Sequence, residues 1–351
     1  MNKKTFARCA AASVSIFFLF VLVFFLTELY VPVSISKKSE KIRIEIPSGT
    51  STRKIASILK KSNLIRSENF FYASSKFPVV FGRKTPYLLK SGVYELSPNM
   101  TVSQILSELE SGHQEYIKTV LPEGLTVSKI AEILDEEGVC KKQDFILASR
   151  NYSLLKKYQI PAATLEGFLF PDTYFFTPGM KAEEVVEMMV NNFFKKIESI
   201  PEYSGNNVSE YYSTIVLASV VEREYRVARE APLIASVFKN RIEQNIGLYS
   251  CATIEYIITE ILGRPHPDVI TYDDLKIDSP YNTYKWAGLP PSPISNPGTV
   301  ALKAAANPPK TDYYYFTLND EMNGTHTFSK SFSSHSKAGI QFKTKKAASS
   351  K

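Results

Sequence analysis

The sequence predicts an α+β protein: an apolar N-terminal helix, then small strand–turn–helix units, then a mixed α/β C-terminal domain. Three observations predict it. A strand–turn–helix pattern occurs twice at a fixed offset. Helical periodicity dominates from about Tyr152. Beyond Arg264 the chain is rich in Pro, Gly, Asn and Tyr, with aromatic strand-like runs near its end. The length of 351 residues leaves room for about two domains. The composition, 44% hydrophobic and 22% charged, is that of a folded globular chain.

The first element is the apolar run. Lys3, Lys4 and Arg8 precede an uncharged stretch from Cys9 to Thr27. A helix of about 20 such residues spans the hydrocarbon core of a bilayer. The basic flank stays cytoplasmic, which sends the remainder outward. The segment after the run, Thr27-Glu28-Leu29-Tyr30, lacks the small-x-small pattern of a signal-peptide cleavage site, so an uncleaved anchor is expected. No Cys follows the run, which argues against a lipoprotein. Ser34 to Lys41 reads as a polar, basic linker.

The repeat comes next. IPSGTSTRKIASIL (46–59) matches LPEGLTVSKIAEIL (121–134) at an offset of 75 residues, pairing Gly49 with Gly124 and Ile55 with Ile130. Each copy predicts an alternating strand, a Pro-x-Gly turn, and a helix opened by Ser or Thr. A more degenerate version lies at YELSPNMTVSQILSEL (94–109). Such units resemble LysM modules, which bind glycans containing N-acetylglucosamine. A spacer or scaffold role is the alternative.

Helices are expected over Ala182 to Ile197, around Glu210 to Arg229, and over Pro232 to Glu243. TDYYYFTL (311–318) and THTFSKSF (325–332) read as strands. The last residues, Lys343 to Lys351, read as a basic tail.

Charge and composition exclude little by themselves. The net charge of +7 suits wall polymer, phospholipid or nucleic acid. No RNP, zinc-finger or helix-turn-helix signature accompanies it, so nucleic acid is not an expected partner. Cys9, Cys140 and Cys251 form neither a metal motif nor a disulfide framework, and unpaired thiols are expected. The histidines, His113, His266, His326 and His335, are spread without metal-ligand spacing, so no metal or other cofactor is expected. His326 reads as a structural or hydrogen-bonding group.

Candidate chemistry sits on STIVLASVVEREYRVARE (213–230). At helical spacing Glu222 shares a face with Ile215, Ala218, Ser219, Tyr225 and Arg226, and Glu224 neighbours Val220, Val221, Val227 and Ala228. Apolar surroundings raise a carboxyl pKa, which suits a general acid for glycosidic bond cleavage. Glu222 and Arg226 also fit a solvated helix pair. Residue chemistry alone does not rank Glu222 over Glu224.

Four stretches are identifiable together: LEGFLFPDTYFF (165–176), LASVVEREY (217–225) with ASVFKNRI (235–242), DSPYNTYKWAGLPPSPISNPG (278–298), and LKAAANPPKTDYYYF (302–316). With GTHTFSKSFSSH (324–335), they make the chain resemble endolytic murein transglycosylases of the YceG-like family. The resemblance implies cleavage of the β-1,4 bond from N-acetylmuramic acid to N-acetylglucosamine, with a 1,6-anhydro product. It implies Glu222 as the acid/base and Glu224 as its support. It implies a glycan cleft lined by Glu166, Ser250, Tyr281, Asn282, Thr283 and Tyr284. It also implies peptidoglycan strands as substrate, cell-wall synthases as partners, and a catalytic domain outside the bacterial inner membrane. The expected layout is a cytoplasmic 1–9, a membrane span 10–30, a linker 31–41, a LysM-like region 42–151, a catalytic domain 152–342 and a tail 343–351. One run departs from the family's Leu-Gln-Ser-Asp-Pro-Thr pattern: here Leu248 is followed by Tyr249, Ser250, Cys251, Ala252 and Thr253. That departure bears on substrate placement or rate. A non-catalytic glycan-binding protein, or a hydrolase with Asp172 or Glu166 as second carboxylate, are the competing readings.

Overall fold

The computed structural model describes residues 19–20, 23–35, 40–47, 49–77, 83–112, 116–320 and 323–339. Most of the expected membrane span 10–30 lies outside them. Among the described residues, 23–30 is helical, and no helix is long and apolar enough to cross a membrane. The chain divides into two compact units, 1–116 and 117–351.

In the first unit, β1 (Ile42–Ile46) pairs antiparallel with β2 (Gly92–Leu96), in the register Ile42 to Leu96. Period-two alternation decides the faces: Ile44 and Ile46 are buried while Arg43 and Glu45 point out. Three helices cover the inner face: α1 (Thr52–Lys61), α2 (Glu68–Lys76) and α3 (Val102–Ser111). Each begins at a hydroxyl cap, and the repeat pattern predicts those of α1 and α3. Ser51, Ser67 and Thr101 accept from the amide three residues on, and Gln104 completes a capping box with Thr101. Their apolar faces, including Leu59, Phe71, Ile105 and Leu109, close one core with Tyr94 and Leu96. Leu29 and Phe25 from the N-terminal helical segment join it.

In the second unit, the second repeat copy gives β3 (Ile117–Val120) and α4 (Val127–Glu136). Thr126 caps α4, and Gly124 makes the turn at a φ of 79°, as Gly49 does at 75° in the first copy. β3 pairs with β4 (Thr173–Phe176) rather than with a strand of its own repeat. Next come α5 (Lys142–Ala148), α6 (Tyr152–Lys157) and α7 (Ala182–Glu198), then α8 (Val208–Glu222), α9 (Ala231–Glu243), α10 (Cys251–Tyr256), a π-helical turn (Ile257–Ile261) and α11 (Thr299–Ala306). The hairpin of β5 (Tyr315–Asp320) and β6 (Thr325–Ser329) comes next, and a helical segment over residues 332–339 ends the described fold.

α8 is buried from Ile215 to Val221, without an exposed face in that stretch. A helix apolar all round belongs at a domain centre. The segment after α10 is bolted to it: Ile294 N donates to Ser219 Oγ at 3.0 Å, and Ser295 Oγ donates to Ser219 O at 2.9 Å.

The helix expected to reach Arg229 ends at Glu222 instead. The amides of Arg223 and Glu224 bond back to Val220 and Val221, three residues earlier, so the last turn tightens. The following side chains then take separate partners, which a continuous helix would not allow. Arg223 reaches Gly124 O and Glu255, while Glu224 reaches Ser250. Glu222 and Arg226 make no ion pair. His326 has the structural role expected of it: its amide and Nδ1 both contact Glu230 Oε2, at 3.0 and 2.9 Å. Cys140 and Cys251 are both free thiols.

Candidate active site

Glu222 is the last residue of α8, half-buried, with its carboxylate aimed at the start of α11. Gly298 N donates to its Oε2 at 2.8 Å, and the Tyr225 hydroxyl donates to the same carboxylate. Burial pushes the Glu222 pKa up. The two hydrogen bonds work against that, and the negative charge of Glu123 adds to it. Two helix ends also act on the group. The C-terminal end of α8 disfavours its charge, and the N-terminal amide ahead of α11 favours it. The result is a carboxyl that holds its proton to higher pH than a free glutamate, beside donors that stabilise it once ionised.

The Pro122-Glu123-Gly124 turn forms one wall. A Cβ at Gly124 would lie 3.5 Å from Glu222 Cγ and 3.6 Å from Arg223 Cδ. A Cβ at Gly298 would fall 2.4 Å from Glu123 Cγ, so a larger residue there would displace the Glu123 side chain. Asn296 fixes this junction. Its backbone exchanges hydrogen bonds with Gly124 N (2.9 Å) and Leu125 O (2.8 Å). Its side-chain Oδ1 accepts from Gly167 N and Leu169 N at 2.9 Å, and its Nδ2 donates to Glu166 Oε1 at 2.8 Å.

Glu224 leaves the helix in another direction. Its Oε1 accepts from Ser250 Oγ, and burial pushes its pKa up to about 7. Ser250 is held in turn: its amide donates to Thr283 Oγ1 at 3.2 Å, and Thr283 Oγ1 lies 2.9 Å from Thr253 Oγ1. Tyr284 places its hydroxyl 3.1 Å from Cys251 Sγ, and its ring packs 5.5 Å from that of Tyr249. Tyr249 itself takes a φ of 50°, which is uncommon for an aromatic residue. The run that departs from the family pattern is thus packed against Glu224. Arg241, buried, anchors the same corner through Leu248 O and Tyr314 O, both at 2.6 Å.

The remaining sequence candidates divide. Asn282 is fully buried and spends its side chain on Leu275 O, Ile277 O and Tyr284 N, so it shapes the loop that presents Tyr281, Thr283 and Tyr284. Tyr281 bonds Ser292 at 2.6 Å and lines a cavity of about 840 Å³. Glu166 lines the same cavity, with both oxygens on Val127 N, at 3.1 and 3.0 Å. Burial pushes its pKa up to about 8. The cavity lies beside the Glu222 junction through a chain of contacts. Arg223 pairs with Glu255 at 2.7 Å, and Glu255 approaches His266, on the cavity wall, at 3.7 Å. Asp172 stands apart. It is partly buried, which acts to raise its pKa, but Asn192 and Lys196 hold the carboxyl below its usual range.

Sequence reasoning missed Glu123, Asn296, Gly298, Arg223 and Arg241. All five lie in the repeat or the motif stretches, so position was the available signal. Nothing in the residue types told which would meet. Among the described residues, no three His, Cys, Asp or Glu side chains gather as a metal site requires.

The YceG-like family model matches residues 44–340. An endolytic murein transglycosylase of Bacillus subtilis (strain 168) is 33% identical over 313 residues, covering 85% of this chain and 83% of that protein. An endolytic murein transglycosylase of Streptococcus pneumoniae serotype 2 (strain D39) is 28% identical over 79% of this chain, which spans about half (54%) of that longer protein. The 2.6 Å crystal structure of a YceG-like protein from Listeria monocytogenes is 34% identical, covers 86% of this chain and 99% of its own, and superposes with a TM-score of 0.55. With a match that runs through both compact units and includes the Glu222 junction, this chain belongs to the YceG-like family.

Proposed function

We propose that this chain is an endolytic lytic transglycosylase of peptidoglycan, with Glu222 as its general acid and then its general base. The observation that carries the assignment is the Glu222 carboxyl, proton-retaining through burial yet flanked by Gly298 N–H and Tyr225. In the first step Glu222 gives its proton to the glycosidic oxygen as the bond to the muramyl C1 breaks. The muramyl C6 hydroxyl then bonds to C1, and its proton passes to the Glu222 carboxylate. The 1,6-anhydro ring closes, the enzyme regains its starting protonation, and no water is consumed. One carboxylate suffices because the nucleophile belongs to the substrate and is already held near C1. Hydrolases need a second group for water or for covalent attack. Glu224 supports the end of α8 through Ser250 and Thr283, and Tyr281 and Tyr284 line the approach of the glycan.

The apolar segment 10–30 anchors the protein in the inner membrane with residues 1–9 cytoplasmic, and 31–41 links it to the rest. Residues 42–151 contact glycan in the LysM manner, and 152–342, with the Pro122-Glu123-Gly124 turn as one wall of the site, carry the chemistry outside the cytoplasm. That placement puts nascent strands and their synthases within reach.

The test is incubation of purified full-length protein with peptidoglycan, followed by mass spectrometry of the glycan ends. Anhydro-muramyl ends, one water lighter than hydrolysed ends, are expected. Reducing ends would make it a hydrolase, and binding without cleavage would make it a scaffold. Glu222→Gln and Glu224→Gln are compared in parallel. A Glu222→Gln protein that cuts at the wild-type rate would remove Glu222 from the mechanism.

A further inference from the structure

The cavity of about 840 Å³ carries two arginines that the fold does not use. Arg150 follows α5 and Arg264 follows the π-helical turn, and both line this space. Among the described residues, neither guanidinium makes a side-chain hydrogen bond or an ion pair. Their neighbours are committed. Lys129 and Lys142 both bond Glu132 at 2.8 Å. Glu260 accepts from the hydroxyls of Thr126 and Thr259 on one oxygen and Ser128 on the other. Glu166, with a pKa near 8, is mostly uncharged at neutral pH. Among the lining residues, the cations left without an anionic partner are therefore these two guanidinium groups, and the Glu260 carboxylate shares the cavity with them. Tyr256 and Tyr281, with ring centres 5.2 Å apart, give the same space an aromatic wall. The volume is that of a ligand-sized cleft.

We propose that Arg150 and Arg264 form a carboxylate-binding subsite for the peptide carried by the glycan substrate. A guanidinium presents a planar fork of donors that fits a carboxylate with two parallel hydrogen bonds. The sugar backbone of the strand has no carboxylate where a peptide caps the lactyl group, so the peptide is the source of that charge. Binding there orients a strand relative to Glu222, because the cavity wall joins the Glu222 junction through His266, Glu255 and Arg223. The proposal rests on the reading of the chain as a peptidoglycan-cleaving enzyme.

The experiment uses full-length protein and two substrates. One is uncrosslinked glycan bearing its peptides, and the other is the same glycan stripped of peptides by an amidase, with the freed lactyl carboxylates then converted to neutral amides. Wild-type protein should show a KM about tenfold lower for the peptide-bearing strand, the size of one well-made charged contact. The Arg150→Ala/Arg264→Ala double variant should lose that advantage with kcat unchanged, and should match wild type on stripped glycan. Adding salt should shrink the wild-type advantage and leave the double variant unaffected. Equal KM values for wild type on both strands would overturn the proposal, and so would equal losses by the double variant on both. If wild type cuts neither strand, the enzymatic reading fails, and co-sedimentation of Glu222→Gln protein with the two strands decides the subsite. Peptide-dependent binding that the arginine substitutions abolish, introduced into that background, upholds it. Peptide-independent binding sinks it.

Discussion

The two copies of the strand–turn–helix repeat have nearly the same sequence and different surroundings. In the first copy the Gly49 turn faces open space: a Cβ there would meet nothing within 4 Å. In the second copy the Gly124 turn touches Glu222 and Arg223, accepts from Arg223 on its carbonyl, and is pinned by Asn296. Position 48 is a serine in the first copy, and the equivalent position in the second is Glu123, whose charge acts on Glu222. The amide of Thr52 opens α1, whereas the equivalent Val127 N opens α4 by donating to buried Glu166. The lesson is that the repeat is a scaffold. Its Pro-x-Gly turn holds a backbone shape, and chemistry enters only where another element is packed against that shape.

The sharpest way to break this comparison is at Glu222. Replacing it with Gln keeps the shape of the junction and removes the proton. Strand cleavage should fall by about 10³-fold, within the span usual for a positioned acid/base. Circular dichroism should be unchanged. In the wild type the rate should fall as pH rises through the raised Glu222 pKa, since the first step needs the protonated form. Glu224→Gln should cost far less and keep that limb of the profile.

The next test compares the two glycines directly. Gly49→Ala and Gly124→Ala each place a side chain at positive φ, at a cost of about 1–2 kcal/mol of stability. Only Gly124→Ala should also lower kcat, by roughly tenfold, because relaxation of the strained turn, which is bonded to Arg223 and Asn296, shifts the wall beside Glu222. Equal activities for the two variants would mean that the Gly124 turn has no part in the site.

Much of this arrangement is legible in the sequence. Period-two alternation at Ile42 to Ile46, the caps at Ser51, Thr101 and Thr126, and the bounds of α7 and α9 all follow from local rules. What is not legible is long-range. α8 stops at Glu222 because Arg223 and Glu224 find partners in distant segments, at Gly124, Glu255 and Ser250. Nothing local marks that stop: no Gly or Pro falls between Glu222 and Ala231, and apolar residues recur at Val227 and Ala228. Likewise Asn282 reads as a ligand-binding residue by its motif, while its side chain is consumed by its own loop. The pairing of β3 with β4 instead of a repeat partner belongs to the same class, because register between distant strands is set by packing.

A third test concerns two carboxyls: Glu166, fully buried against the second copy, and Glu224, half-buried beside Ser250. Glu166 and Glu224 have pKa values near 8 and 7 in the fold, against about 4.5 when unfolded. The folded state therefore binds more protons than the unfolded state across that window, and stability falls as pH rises through it. Thermal melts should show a lower Tm at pH 8.5 than at pH 5.5 (about three units apart on the falling side of this window). Glu166→Gln should flatten the slope, chiefly at its upper end. A slope unchanged by that substitution would place the titration elsewhere.

The smallest effect expected comes from the caps. Ser51 Oγ accepts only from Lys54 N, at 3.4 Å, whereas Thr126 Oγ1 accepts from Lys129 N at 3.3 Å and also donates to Glu260 at 3.0 Å. Alanine at either position removes one helix cap and should lower stability by about 1 kcal/mol. Ser51→Ala should stop there, with kinetics unaltered. Thr126→Ala also takes one donor from Glu260, a carboxylate that lines the same cavity as Arg150 and Arg264, and so leaves it freer to compete for them. If those arginines hold the substrate's carboxylates, KM for peptide-bearing glycan should rise by roughly twofold, with stripped glycan unaffected, in line with a weak, partly screened charge contact. Thr126→Ser keeps both hydrogen bonds and should behave as wild type. A Thr126→Ala protein whose KM on both substrates matches that of Ser51→Ala would show that the second copy's cap, unlike its turn, remains pure scaffold.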